Sequence, residues 1–122
     1  MCFSSSGHIV SVELATGATY IWNALCSDHQ SLLNTSDVGG SDYCPHSQSG
    51  IWSRAGVVVE PLDESVYIVT GNGHFDGKVN WADSIIKMRA GLVGGNAGML
   101  DTYTPDNYQY LGDNVRLFTF LI

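Results

Sequence analysis

A short β-branched run, Ile9-Val10-Ser11-Val12-Glu13-Leu14, stops at Ala15-Thr16-Gly17, and residues 18–25, with Tyr20, Ile21 and Trp22, run back from it. Runs this short, bounded by a glycine turn, have the length of strands rather than of helices. Gly17 supplies the left-handed backbone that a tight reversal needs. The same unit recurs. Residues 51–60 hold Val57-Val58-Val59 and stop at Pro61, Leu62-Asp63-Glu64 turns, and residues 65–69 return. Residues 83–88 and 99–103 are further strand-like runs, separated by a Gly-rich loop over 89–98. No segment keeps a helical period over three turns. The pattern predicts an all-β chain of antiparallel hairpins.

With 122 residues and 44% hydrophobic content, the chain is long enough to bury one core and too apolar to stay disordered. Its formal charge is −7, and Arg54, Lys78, Lys87, Arg89 and Arg116 are scattered. A nucleic-acid binder needs a cationic stripe to displace counterions, so nucleic acid is excluded as a partner, and an anionic membrane surface is disfavoured. No run approaches the roughly 20 apolar residues of a membrane span. Residues 1–7 carry no charged n-region and do not read as a secretory signal. Cys2, Cys26 and Cys44 form no C-x-x-C pair. Cys26 and Cys44 flank the polar loop 27–49 and either close it as a disulfide or remain two thiols. Asn34-Thr35-Ser36 in that loop is a glycosylation sequon, which points weakly outward from the cytoplasm.

Residues 8–12 with Thr16-Gly17 echo residues 84–88 with Ala90-Gly91. Short hairpins recurring with Gly and Trp punctuation predict an incomplete β-propeller of four-stranded antiparallel blades, with a small β-sandwich as the alternative. A blade takes roughly 40–50 residues, so the chain holds about two to three. The expected organisation is one partial domain over 1–122: a blade-end hairpin at 7–26, a long loop at 27–49, further blade strands at 50–110 and an atypical tail at 111–122. Open blade edges invite aggregation. The chain is therefore expected to be a fragment, or to need missing blades or a protein partner.

The order of these pieces resembles a known family. Residues 7–17, Gly-His-Ile-Val-Ser-Val-Glu-Leu-Ala-Thr-Gly, followed by Trp22, are similar to the repeat of quinoprotein propellers. Ser49-Gly50-Ile51-Trp52-Ser53, then Val57 to Pro61, then Val66-Tyr67-Ile68-Val69-Thr70-Gly71-Asn72-Gly73, resemble the Trp-to-TGN segment of pyrroloquinoline-quinone-dependent alcohol dehydrogenases. Thr104-Pro105-Asp106-Asn107-Tyr108 is similar to a later Thr-Pro-x-Asn-Trp segment of that family. The likeness covers most of residues 7–110. It implies pyrroloquinoline quinone and calcium as cofactors of a secreted or extracytoplasmic parent, with Asn72 at the calcium-ligand, cofactor-binding position. Trp52 falls at a position expected to pack.

The departures set the functional expectation. Where the family places its catalytic Asp, this chain has Val79, and valine cannot take a proton from an alcohol. Asp76 and Asp83 are the displaced substitutes, and spacing favours neither. The adjacent cysteines that lie against the quinone are absent. The expectation is a quinoprotein-like binding or structural module without catalytic residues. The alternative is part of a quinone- and calcium-dependent alcohol or sugar dehydrogenase. Other readings are weaker. Residues 71–77 read G-x-G-x-x-x-G with no helix after them, which does not fit a dinucleotide loop. His46, Cys44, His74 and Asp76 are zinc-type ligands without zinc spacing, and calcium would pair Asn72 with Asp76. Ser84 lies in no nucleophile elbow. Tyr103, Tyr108 and Tyr110 line a sugar or quinone site or fill gaps between blades.

Overall fold

The computed structural model describes residues 6–52, 56–89 and 95–114. Along these residues run β1 (His8–Val12), β2 (Thr19–Asn23), β3 (Val58–Val59), β4 (Val66–Val69), β5 (Ile85–Met88), a 3₁₀ turn at Gly95–Gly98, β6 (Met99–Tyr103) and α1 (Tyr108–Asp113). β1 and β2 make a two-stranded sheet, and β3-β4-β5-β6 make a four-stranded sheet in chain order, with every neighbour antiparallel. The chain is mostly β, as its hairpin pattern predicts. Among the described residues no propeller ring closes.

The two hairpin turns are built alike. In the first, Gly17 N–H donates to the Glu13 carbonyl and Glu13 N–H to the Ala18 carbonyl, each at 2.8 Å. In the second, Glu64 N–H donates to the Glu60 carbonyl at 2.9 Å and Glu60 N–H to the Ser65 carbonyl at 2.8 Å. Gly17 and Glu64 occupy the same left-handed position, with φ 74° and 57°. The same turn geometry thus recurs at residues 13–18 and 60–65; in the repeat read from residues 8–17 and 84–91, Ala90-Gly91 lie outside the described residues.

Two sequence expectations change. Residues 51–60 do not form one strand. Gly56, at φ 84°, breaks the extended run, so ladder pairing is confined to Val58–Val59 and Ile51 makes only an isolated bridge to Thr70. Residues 108–113, expected as strand up to 110 and tail beyond, form α1. A helix this short spans under two turns and cannot display the repeating period that marks longer ones.

The core lies where the sheets meet. Ile68 pairs directly with Ile86, and Val66 with Met88, so these side chains share one face of the four-stranded sheet. Trp22 in β2 and Ala24 just after it, together with Trp81, pack against Ile68, Ile86 and Met88. Burying each such Ile or Met stabilises the fold by about 1.5–3 kcal/mol. Main-chain bonds add direction to this contact. Trp81 N–H donates to the Ala24 carbonyl at 2.8 Å, Ser27 N–H to the Val79 carbonyl at 2.9 Å, and Cys26 N–H to Asn80 Oδ1 at 3.1 Å.

Cys26 and Cys44 are joined as a disulfide, their Cα atoms 6.0 Å apart. That resolves the two readings of the loop over 27–49. The bond sits in a second small apolar cluster with Leu25 and Leu33. Cys2 lies outside the described residues. None of the described helices is long and apolar enough to cross a membrane.

Candidate functional site

The stretch from residue 70 to 84 leaves β4 and returns into β5 through a loop that folds across itself. Thr70 ties its root: the hydroxyl donates to the Trp81 carbonyl and accepts Ser84 N–H at 3.0 Å. Asp83 N–H donates to the Gly71 carbonyl at 2.9 Å, and Phe75 bridges Trp81. Ser84 is buried and structural, its hydroxyl donating to the Ala82 carbonyl at 2.8 Å.

Asp76 organises the tip. Its Oδ1 accepts the N–H groups of Lys78, Val79 and Asn80 at 2.8–2.9 Å, and its Oδ2 accepts the Asn80 amide at 2.6 Å. Partial burial pushes this carboxyl up, but the three main-chain donors and the amide outweigh it and hold the pKa well below the usual carboxylate range. Asp76 is thus a turn-holding anion whose oxygens are already engaged. Val79, which the sequence resemblance sets against a catalytic Asp, sits in the same framework, giving its N–H to Asp76 and accepting Ser27 N–H at its carbonyl.

Asn72 faces the loop of residues 27–49. Its Nδ2 donates to Gln48 Oε1 at 3.1 Å, and its carbonyl accepts Ser49 N–H at 2.7 Å. It offers one amide oxygen to a cation, where calcium takes about 6–8 oxygens. Asp76, which calcium would pair with Asn72, has both carboxylate oxygens engaged by donors of its own loop. Among the described residues no group of three or more His, Cys, Asp or Glu gathers to hold a metal ion. The zinc reading fails at Cys44 as well, whose sulfur is bonded to Cys26. Trp52 is not packed away as its sequence context suggests. It is 80% exposed, and its indole lies over Gly50 and Gly71, Nε1 standing 2.7 Å and 3.2 Å from where a Cβ of each would be. Any side chain at Gly50 would displace the ring.

Beside this loop lies an open cleft of about 700 Å³, walled by Ser47, Gln48, Gly73, His74 and Phe75 on one side and by Tyr108, Gln109, Gly112 and Asp113 on the other. Phe75 and Tyr108 meet edge to face, with ring centroids 4.9 Å apart. His74 stacks on His46 at 4.1 Å and 12° between planes. Burial and the neighbouring His74 lower the His46 pKa, against the opposing pull of Asp76. Tyr103 and Tyr110 are exposed, so of the three tyrosines only Tyr108 takes part in the cleft.

Asp83 is the second carboxylate of the loop and differs from Asp76 in every respect. Its backbone is left-handed, at φ 51°. Its Oδ2 is buried without a hydrogen-bond partner. Burial raises its pKa, and the Gly73 N–H offsets that only in part. Gln48 and Ser49 are also left-handed, at φ 84° and 57°. Non-glycine residues held this way cost about 1–3 kcal/mol each and gather at ligand sites. Sequence spacing left Asp76 and Asp83 equal, and geometry separates them. Gln48 carried no sequence signal, since its role depends on a contact with a distant loop. No protein-family model, curated protein or solved structure matches this chain.

Proposed function

We propose that this chain is a quinoprotein-like β-propeller module that binds a ligand and does not itself oxidise an alcohol. The observation that carries this reading is the state of the loop over 71–83. Val79 occupies the position of the family's base, and Asp76, its nearest carboxylate, is held as an anion by four donors of its own loop. Neither can accept a proton from substrate, and Asp83, the other carboxylate of the loop, has its unpartnered oxygen buried away from solvent. The order of sequence motifs supports the family, and the meander β3-β4-β5-β6 has the strand order expected of a blade. The two-stranded sheet leaves Val10, Val12 and Tyr20 exposed, which supports further blades or a protein partner covering it. The Cys26–Cys44 disulfide supports an oxidising, extracytoplasmic setting.

The test is direct. The protein, incubated with pyrroloquinoline quinone, calcium, primary alcohols or aldoses and an artificial electron acceptor, is expected to leave the acceptor oxidised. Quinone-dependent reduction of the acceptor would overturn the reading.

A second reading, part of a quinone- and calcium-dependent alcohol or sugar dehydrogenase, is favoured by one observation. Trp52 presents an open indole face at the root of the Asn72 loop, a suitable platform for a planar ring. Asn72 would then contribute its amide oxygen to calcium. Quenching of tryptophan fluorescence by the quinone, lost in Trp52→Ala and strengthened by calcium, is the outcome that reading requires.

A further inference from the structure

We propose that Asn34 is a modification site, carrying an N-linked oligosaccharide on its Nδ2 in the loop that Cys26 and Cys44 close. Of the function proposed above this needs only the extracytoplasmic setting, so a failed oxidation assay and a failed glycosylation assay are told apart.

The acceptor sequence is an Asn with Ser or Thr two positions on and no Pro between. Of all the asparagines of the chain, only Asn34, followed by Thr35 and Ser36, meets it. A folded protein tolerates the modification only where the side chain is open, because a glycan is bulky and stays in water. Asn34 is exposed, whereas Asn23 and Asn80 are buried. The main chain at Asn34 is held while the side chain stays open. Asn34 N–H donates to the Asp42 carbonyl at 2.8 Å, and the residue bridges Tyr43. Oδ1 accepts Ser36 N–H at 3.0 Å, closing a local turn. These bonds use the main chain and the amide oxygen. Nδ2, the atom that takes the sugar, is in none of them, so an added glycan breaks none. The surroundings are open too: Ser36 is exposed, and Leu32 and Val38 are 58% and 78% exposed.

The Cys26–Cys44 bond is the independent observation. Its two cysteines bracket the acceptor sequence, and disulfides persist in the oxidising secretory compartments where lipid-linked oligosaccharide is transferred to protein. The donor class is a lipid-diphosphate-linked oligosaccharide, brought by a membrane transferase. Asn34 Nδ2 forms a bond to the anomeric carbon of the sugar. The bond from that carbon to the diphosphate oxygen breaks, and the lipid diphosphate leaves with the electron pair. One amide proton passes to a base of the transferase, so the linked nitrogen stays a neutral amide.

The experiment expresses the full chain behind a cleavable secretory leader in a eukaryotic host and reads intact mass before and after peptide-N-glycosidase. Added glycan mass is expected, lost on enzyme treatment with conversion of residue 34 to aspartate. Asn34→Gln and Ser36→Ala are each expected to abolish the added mass, and Ser36→Thr to keep it. Ser36→Ala retains the main-chain N–H that Asn34 Oδ1 accepts, so it removes the acceptor sequence without removing the turn. The glycosylated protein is expected to melt no lower than the enzyme-treated one. A product without glycan, secreted or retained, a glycan that survives Asn34→Gln, or a melting temperature lowered by the glycan would overturn the proposal.

Discussion

Replacing both Cys26 and Cys44 by alanine tests how the long loop over 27–49 is held. The bonded positions are 18 residues apart. Releasing a cross-link of that span returns loop-closure entropy to the unfolded chain worth about 3 kcal/mol at 25 °C. Alanine keeps the cluster around Leu25 and Leu33 apolar, so no unpaired hydroxyl adds to the cost. Against a typical total of about 5–15 kcal/mol, the loss is large. Urea unfolding followed by tryptophan fluorescence suits the measurement, because Trp22 and Trp81 are both buried in the main core. With a urea slope of about 1–3 kcal/mol/M, the midpoint is expected to fall by about 1–3 M. The slope itself is expected to rise, since an uncrosslinked unfolded chain exposes more surface. A midpoint change under about 0.3 M would refute the reasoning. So would alkylation of Cys26 or Cys44 in the native protein without a reductant.

Glu64→Gly is expected to stabilise the protein by about 0.5–1 kcal/mol, because glycine relieves the left-handed backbone that Gly17 already occupies without strain in the matching turn. Thermal unfolding reads the gain. Asp76→Ala removes the acceptor of three main-chain N–H groups and is expected to cost about 1 kcal/mol, as loss of a helix cap does, measured by urea midpoint. The carboxyl of Asp76 titrates below its ordinary value in the folded state, so its contribution is present above the ordinary carboxylate range and is lost as pH falls through that range towards the folded value. Urea midpoints are therefore expected to fall from about pH 6 to pH 3, and Asp76→Asn to flatten that fall. Asp83 acts with the opposite sign, its raised pKa making the fold relatively more stable below the ordinary range and less so above it. Ile86→Ala, which empties a fully buried position paired with Ile68, is expected to cost about 2–5 kcal/mol.

Much of the fold is legible in the sequence because hairpins are local. Met99–Tyr103 forms a strand as its residues suggest, and Gly17 takes the left-handed turn position. Where local pattern misleads, a physical cause can be named. The valine run at 57–59 suggests a long strand, but Gly56 turns the chain away and only two residues pair. Tyr108–Asp113 is too short to carry a period. The loop holding Asn72 is visible as a glycine-rich stretch between strands, yet its chemistry is not. Asp76 and Asp83 are the same residue type on the same loop. One collects four donors and the other is left with a bare oxygen.

The sequence by itself determined the β character, the hairpin order and the formal charge of −7, because each follows from residue type and near-neighbour spacing. Tertiary structure decided the rest. It joined Cys26 to Cys44, brought Gln48 to Asn72, laid Trp52 over Gly71 and set Asp83 against α1. These are contacts between segments far apart along the chain. Side-chain chemistry depends on burial and on which donors arrive, and neither is fixed until the two sheets pack.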